Sequence, residues 1–198
     1  MSKVYTKVKQ IPLVNSIVSD VRYSLLSLLL ILAFTFATAL AATIRIPLPF
    51  TPVPITAQVL VVLLAGAFLG SSRGAASQGL YLLWGLSGLP IFAGGAMGLA
   101  AIAGPTGGYL IGFIVAAYVM GRIVKRKDNL PVLWTKFFAA SLIILFLGFA
   151  HMTIFYIHNP KTAFLMGVLP FVVGDIIKVT VAAGIFSGAQ KLLKKRNS

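Results

Sequence analysis

Asp175 and Lys178 stand three residues apart in GDIIK, inside an apolar run that extends from Phe164 to Ile185. That spacing puts both side chains on one helix face, where they can bond each other or clamp a single polar ligand. Either charge near the centre of a bilayer costs roughly 2.5 to 3.5 kcal/mol on insertion scales. Two readings supply a reason to bear that cost: mutual neutralisation that fixes helix packing, or a cavity into which both groups point. Gln58, in PVPITAQ at the start of another apolar run, carries an amide that both donates and accepts. The glycines of FAGGAMG and GPTGGYL, Gly95 among them, let a ligand approach backbone donors and acceptors, and Tyr109 adds an amphipathic ring. Glycines of this kind also serve plain loops and close helix packing.

Other chemistry lacks its residues. There is no G-x-x-x-x-G-K-[ST] phosphate cradle and no H-E-x-x-H metal motif. The chain contains no cysteine, so disulfides, thiolate metal sites and cysteine nucleophiles are out, and no glutamate. His151 and His158 are seven apart and can share a helix face, yet no carboxylate stands near them, so they read as a polar lining at the end of a span. Neither a catalytic residue nor a metal or cofactor is expected.

The elements that must hold these groups are membrane helices. Hydrophobic residues make up 59% of the 198-residue chain and charged residues only 10%, with a mean hydropathy of +0.98. Apolar runs fall at about Ser24–Thr43, Ile55–Gly70, Gly74–Leu89, Gly107–Val124, Leu133–Ile157 and Phe164–Gln190. They predict an all-α membrane protein, a single domain over residues 1–198 built as a bundle of six transmembrane helices. Four prolines between residues 45 and 54 predict an extended or folded loop, and seven glycines with two prolines between Gly88 and Gly108 predict a second, packed at the membrane surface.

The net charge of +14 is distributed as topology rather than as a nucleic-acid face. Of the 17 basic residues, 14 lie in the N-terminal segment (about 1–22), at Arg73, around the fourth connection and in the tail (about 191–198). Only Arg45 and Lys161 lie on the opposite side. Positive loops stay inside, so both termini should be cytoplasmic and the proline and glycine loops should face outward as binding loops. The excess charge also suits an anionic lipid bilayer, and no nucleic-acid partner is expected. The first 20 residues lack an apolar core followed by a small-residue cleavage site, so the first span should itself act as the insertion signal.

The strings IPLPFTPVPIT, LGSSRGAASQGLYLLWGLSGLPIFAGGAMG, GPTGGYLIGF and LPFVVGDIIK, in this order over about residues 35 to 185, resemble the BioY family, the biotin-binding S components of energy-coupling factor transporters. The resemblance implies six helices with both termini inside, and biotin as the ligand, held between the outer loops and the sixth helix. Asp175 and Lys178 match the family's polar pair. It also implies partners that supply energy: a transmembrane T component and a pair of cytoplasmic ATPases. Members can carry an amide just after the paired glycines and a basic residue after the tyrosine, where this chain has Ala96 and Leu110. Backbone groups around Gly95, Gln58 or a shifted Arg45 are the candidates to substitute. The expected substrate site is thus Asp175, Lys178, Gln58, Gly95, Ala96 and Tyr109. Ala33, Ala37 and Ala41 form a small-residue stripe that allows close helix approach and is expected to dock the T component, internal packing being the alternative. The rival function is a stand-alone secondary transporter or channel for a small polar solute.

Overall fold

Residues 12–196 are described in a computed structural model. The start of the basic N-terminal segment and the last two residues of the tail therefore lie outside the described residues. The chain is mostly helical. Helix α1 (Pro12–Thr43) has proline at its start, where a missing N–H costs nothing, and ends before the proline-rich stretch. That stretch folds back as a two-stranded antiparallel ribbon, β1 (Arg45–Ile46) with β2 (Ile55–Thr56), Arg45 standing opposite Thr56. Then follow α2 (Gln58–Leu69) and α3 (Ser71–Leu86), hinged at Gly70, whose φ of 80° is open to glycine at little cost.

The glycine loop is partly ordered into a single turn at Ala93–Gly95 and a short helix, α4 (Gly98–Ala103). Helix α5 (Gly107–Ile123) leads to α6 (Leu130–His151), which Asn129 caps by accepting the Val132 N–H at 3.1 Å. The end of α6 widens into a π turn over Met152–Ile157 and stops at His158, in a left-handed conformation.

The run expected as one sixth span is two helices, α7 (Pro160–Gly167) and α8 (Leu169–Arg196). Pro170 explains the break: it has no N–H to give to a preceding turn, and it is tolerated in the first turn of a new helix. The second run also begins later than expected, because Ile55 and Thr56 are taken into the ribbon.

Among the described residues, three stretches are long and apolar enough to cross a membrane: Ser24–Thr43, Leu130–Ile157 and Pro160–Lys195. Helix α2 is shorter; its 12 residues rise about 18 Å, against about 30 Å of hydrocarbon. Large apolar side chains such as Leu29, Phe36, Leu40, Phe146 and Val173 face outward, the arrangement a lipid environment favours. Lipid tails are as apolar as leucine, so helices must hold together by fit. Helix α5 runs through the middle, against α2, α3 and α6, with Ala116, Ala117 and Met120 fully buried. A Cβ at Gly66 would strike the Ala117 carbonyl, and one at Gly108 would strike the backbone of α6. Bare backbone at these points is what lets the three helices approach.

Candidate functional site

The three connections β1–β2, α3–α5 and α6–α8 meet: Thr51 Oγ1 donates to the Met166 carbonyl on α7 at 2.8 Å, Arg45 lies against Gly94, and the Asp175–Lys178 pair on α8 shares a cavity lining with Pro54 and Ala93. Lys178 Nζ donates to Asp175 Oδ1 at 2.8 Å. Asp175 is only 1% exposed, and its second oxygen, Oδ2, is buried without a hydrogen-bond partner. An unpaired buried carboxylate oxygen is costly and calls for a donor. The ammonium has three protons and gives one to Asp175, so donors remain beside that vacant acceptor.

Both groups line a small cavity together with Gln58, Tyr109, Leu110, Thr56 and the rings of Phe92, Phe113 and Phe171. It is an apolar chamber with few polar groups, the usual make-up of a small-molecule site. Four of the six residues expected from sequence, Asp175, Lys178, Gln58 and Tyr109, thus converge.

Gln58 is only partly free. Its Oε1 accepts from Thr56 Oγ1 at 3.2 Å and its Nε2 donates to the Tyr81 hydroxyl at 2.7 Å, which in turn donates to the Ile91 carbonyl at 3.1 Å. One N–H and one lone pair are left for a ligand. Tyr81 is 1% exposed and fastens the glycine loop to α3. Sequence reading missed it, because a tyrosine among leucines and a tryptophan looks like any apolar ring. The Phe92 ring completes the fastening: it packs edge-on to Tyr81 and occupies the space a Cβ at Gly85 would need.

Tyr109 contributes its ring to the cavity but spends its hydroxyl elsewhere, donating to the Gly167 carbonyl. The bare backbone of Gly148 receives the ring. Tyr109→Phe should therefore lower the unfolding free energy by about 1 kcal/mol while changing ligand affinity little. Thermal unfolding together with a binding isotherm checks this; a large loss of affinity at unchanged stability would return the hydroxyl to the ligand.

Gly95 and Ala96 are placed differently from expectation. Positive φ at Gly94 and Gly95 turns the loop outward, so both residues are exposed and line a second, shallower depression with Arg45, Pro47 and Met97. Of the glycine-loop turn it is Ala93 that reaches the inner cavity, and Pro54, Ala93 and Thr106 border both spaces. Arg45 lies against Gly94, on the ribbon face it shares with Thr56. Leu110 is buried in the inner cavity. In the alanine stripe, Ala41 is 4% exposed and packs inward, whereas Ala37 is half-buried and Ala33 exposed, so only the latter two remain open to another helix. The stripe turns inward because α1 meets the ribbon and the glycine loop at that end. His151 ends α6 beside Phe155, its Nδ1 buried without a partner, and is not in the cavity lining.

Comparison with known proteins decides the family. The BioY family model matches residues 14–195. The chain belongs to the BioY family. The biotin transporter BioY of Thermotoga maritima is 39% identical over 145 residues, covering 73% of this chain and 85% of that protein. The biotin transporter BioY of Rhizobium etli is 39% identical over 142 residues, covering 68% and 76%. Among solved structures, the S-component for biotin from an ECF-type ABC transporter superposes with a TM-score of 0.78 at 26% identity, over 86% of this chain and 93% of that one. The multi-pass BioY fold accounts for the apolar helices, and the relatives are transporters rather than enzymes.

Proposed function

We propose that this protein is the biotin-binding S subunit of an energy-coupling factor transporter, capturing the vitamin outside the cell and relying on a T component and an ATPase pair for its release inside. The observation that carries the reading is the vacant Asp175 Oδ2 beside the remaining protons of Lys178, at the polar end of an aromatic cavity in a BioY chain. Biotin's ureido ring presents N–H donors beside a carbonyl acceptor, its thiolane is apolar, and its valerate ends in a carboxylate. Another carboxylate has no proton to give Asp175 and repels it, so the ureido ring is the end that meets Asp175 and Lys178. The valerate then runs past Ala93 and Thr106 toward the outer depression, where Arg45 has no carboxylate partner among the described residues. Arg45 thus stands in for the basic side chain that Leu110 cannot supply, and backbone around Gly95 and Ala96 borders the valerate's path.

The same reading includes a single domain that crosses the plasma membrane six times, with both termini cytoplasmic and the binding loops outside. Charge placement supports it. Ala33 and Ala37 offer the open part of α1 to the T component.

Purified protein in detergent should retain biotin, detectable by mass spectrometry after denaturation, and should bind it saturably without ATP. Thiamine and riboflavin in large excess should compete poorly, since neither presents a ureido ring with a valerate and each leaves buried site groups unpaired. Equal competition by either vitamin would refute the biotin assignment.

A further inference from the structure

At the end of the bundle opposite the cavity, the last turn of α2, the end of α5, the start of α6 and the last turns of α8 surround a broad open groove. Its walls are tied together: Gln190 Nε2 on α8 donates to the Lys125 carbonyl at 3.2 Å. Its charge is strongly one-sided: among the described residues that line it, Lys125, Arg126, Lys191 and Lys194 are basic and Asp128 alone is acidic. Asp128 offsets them only in part, because its Oδ2 is held by Lys136 Nζ, a cation outside the rim, and by the Lys125 N–H, both at 2.7 Å. Partial burial pushes the Asp128 carboxyl up, but these bonds outweigh it and hold it below the usual carboxylate range. The floor is apolar: Phe68 and Phe186 pack edge to face at 5.1 Å, and Phe68, Leu130 and Leu193 are 43%, 49% and 54% exposed.

We propose that this groove binds one anionic phospholipid, its phosphate on Lys125, Arg126 and Lys191 and an acyl chain along Phe68, Leu130 and Leu193. The groove lies where four helices end, at the level at which a bilayer changes from headgroup to hydrocarbon, and that is where cations and exposed rings are wanted side by side. A soluble phosphate matches the rim and leaves the floor bare. A zwitterionic lipid matches the floor but brings its own cation to a rim already rich in them. The inference rests on the chain being embedded in a bilayer and not on which vitamin it carries.

The test uses delipidated protein in neutral detergent, followed by native mass spectrometry. Titration should show one phosphatidylglycerol bound tightly, phosphatidylcholine at least about tenfold more weakly, and no displacement by inorganic phosphate at matched concentration. The double variant Arg126→Gln with Lys191→Gln removes two rim charges far from the biotin cavity. Its phosphatidylglycerol affinity should fall roughly thirtyfold, at about one kcal/mol per cation, with thermal unfolding in lipid-free detergent unchanged. Equal affinity for the two lipids, unchanged phosphatidylglycerol affinity in the variant, or ready displacement by inorganic phosphate would each overturn the proposal. So would a variant that keeps its lipid but no longer co-purifies with the energising module, since the groove would then belong to a protein partner.

Discussion

Asp175→Asn and Lys178→Met should each destabilise the protein by about 3 to 5 kcal/mol, because either leaves a buried charge without its partner. Each should also weaken biotin binding, but a single variant cannot separate lost contact from lost fold. The double variant does. It buries no unpaired charge, so thermal stability should return toward the parent value. If the pair grips the ureido ring, affinity should not return with it. Charge-assisted hydrogen bonds contribute about 1.5 to 3 kcal/mol each, so losing two weakens binding roughly a hundredfold to ten-thousandfold. Thermal unfolding and biotin dissociation constants for all four proteins give the answer. Parent-like affinity in a stable double variant would leave the pair with packing alone, and the vacant Oδ2 without a ligand.

Ala37→Leu should abolish uptake while leaving biotin affinity nearly unchanged. Ala37 is half-buried on α1, beside exposed Leu40 and Phe36, and away from the cavity lining. A leucine there holds an approaching helix off without entering the site, and TM helix association depends on that approach. Ala41 gives the internal control: at 4% exposure it has no room to grow, so Ala41→Leu should lower stability by about 1 to 3 kcal/mol through overpacking. Uptake by cells expressing the energising module, co-purification with the T component and biotin binding are measured together. Parent-rate transport and normal co-purification by Ala37→Leu would make the whole stripe internal packing.

Much of the architecture was legible because bilayer chemistry is unforgiving. Apolar runs had to be helices, and α3, α5 and α6 lie close to the runs that predicted them, while α1 ends with its run at Thr43 but begins well ahead of it, at Pro12. Asp175 and Lys178 were legible for the same reason, since charges that expensive seldom stand in a span without a task. What the sequence hid was set by contacts between distant segments. Nothing local distinguishes Pro170 at the head of a new helix from a kink within one. Tyr81 acquires its role only when folding carries it to Gln58 and the Ile91 carbonyl. The paired glycines promised a ligand contact, but the sign of their φ angles, which turns Gly95 and Ala96 outward, is not written in the residue type, since glycine takes either sign with equal ease. Tyr109 was found for its ring, while the fate of its hydroxyl depended on where α7 ends.

The seating of Phe92 in the hollow at Gly85 bears on timing. Lifting the loop away from the mouth returns that ring to water, at a cost of about 1.5 to 3 kcal/mol. A cost of that size keeps the loop down in all but roughly one molecule in ten to one in a hundred or so. Entry and escape both wait for the same rare moment, so a bound molecule that has lost its grip still stays behind the loop. Gly85→Ala fills the hollow from the α3 side and displaces a ring that also lines the cavity, so arrival and departure should both quicken, departure the more, leaving cargo that is held for shorter intervals.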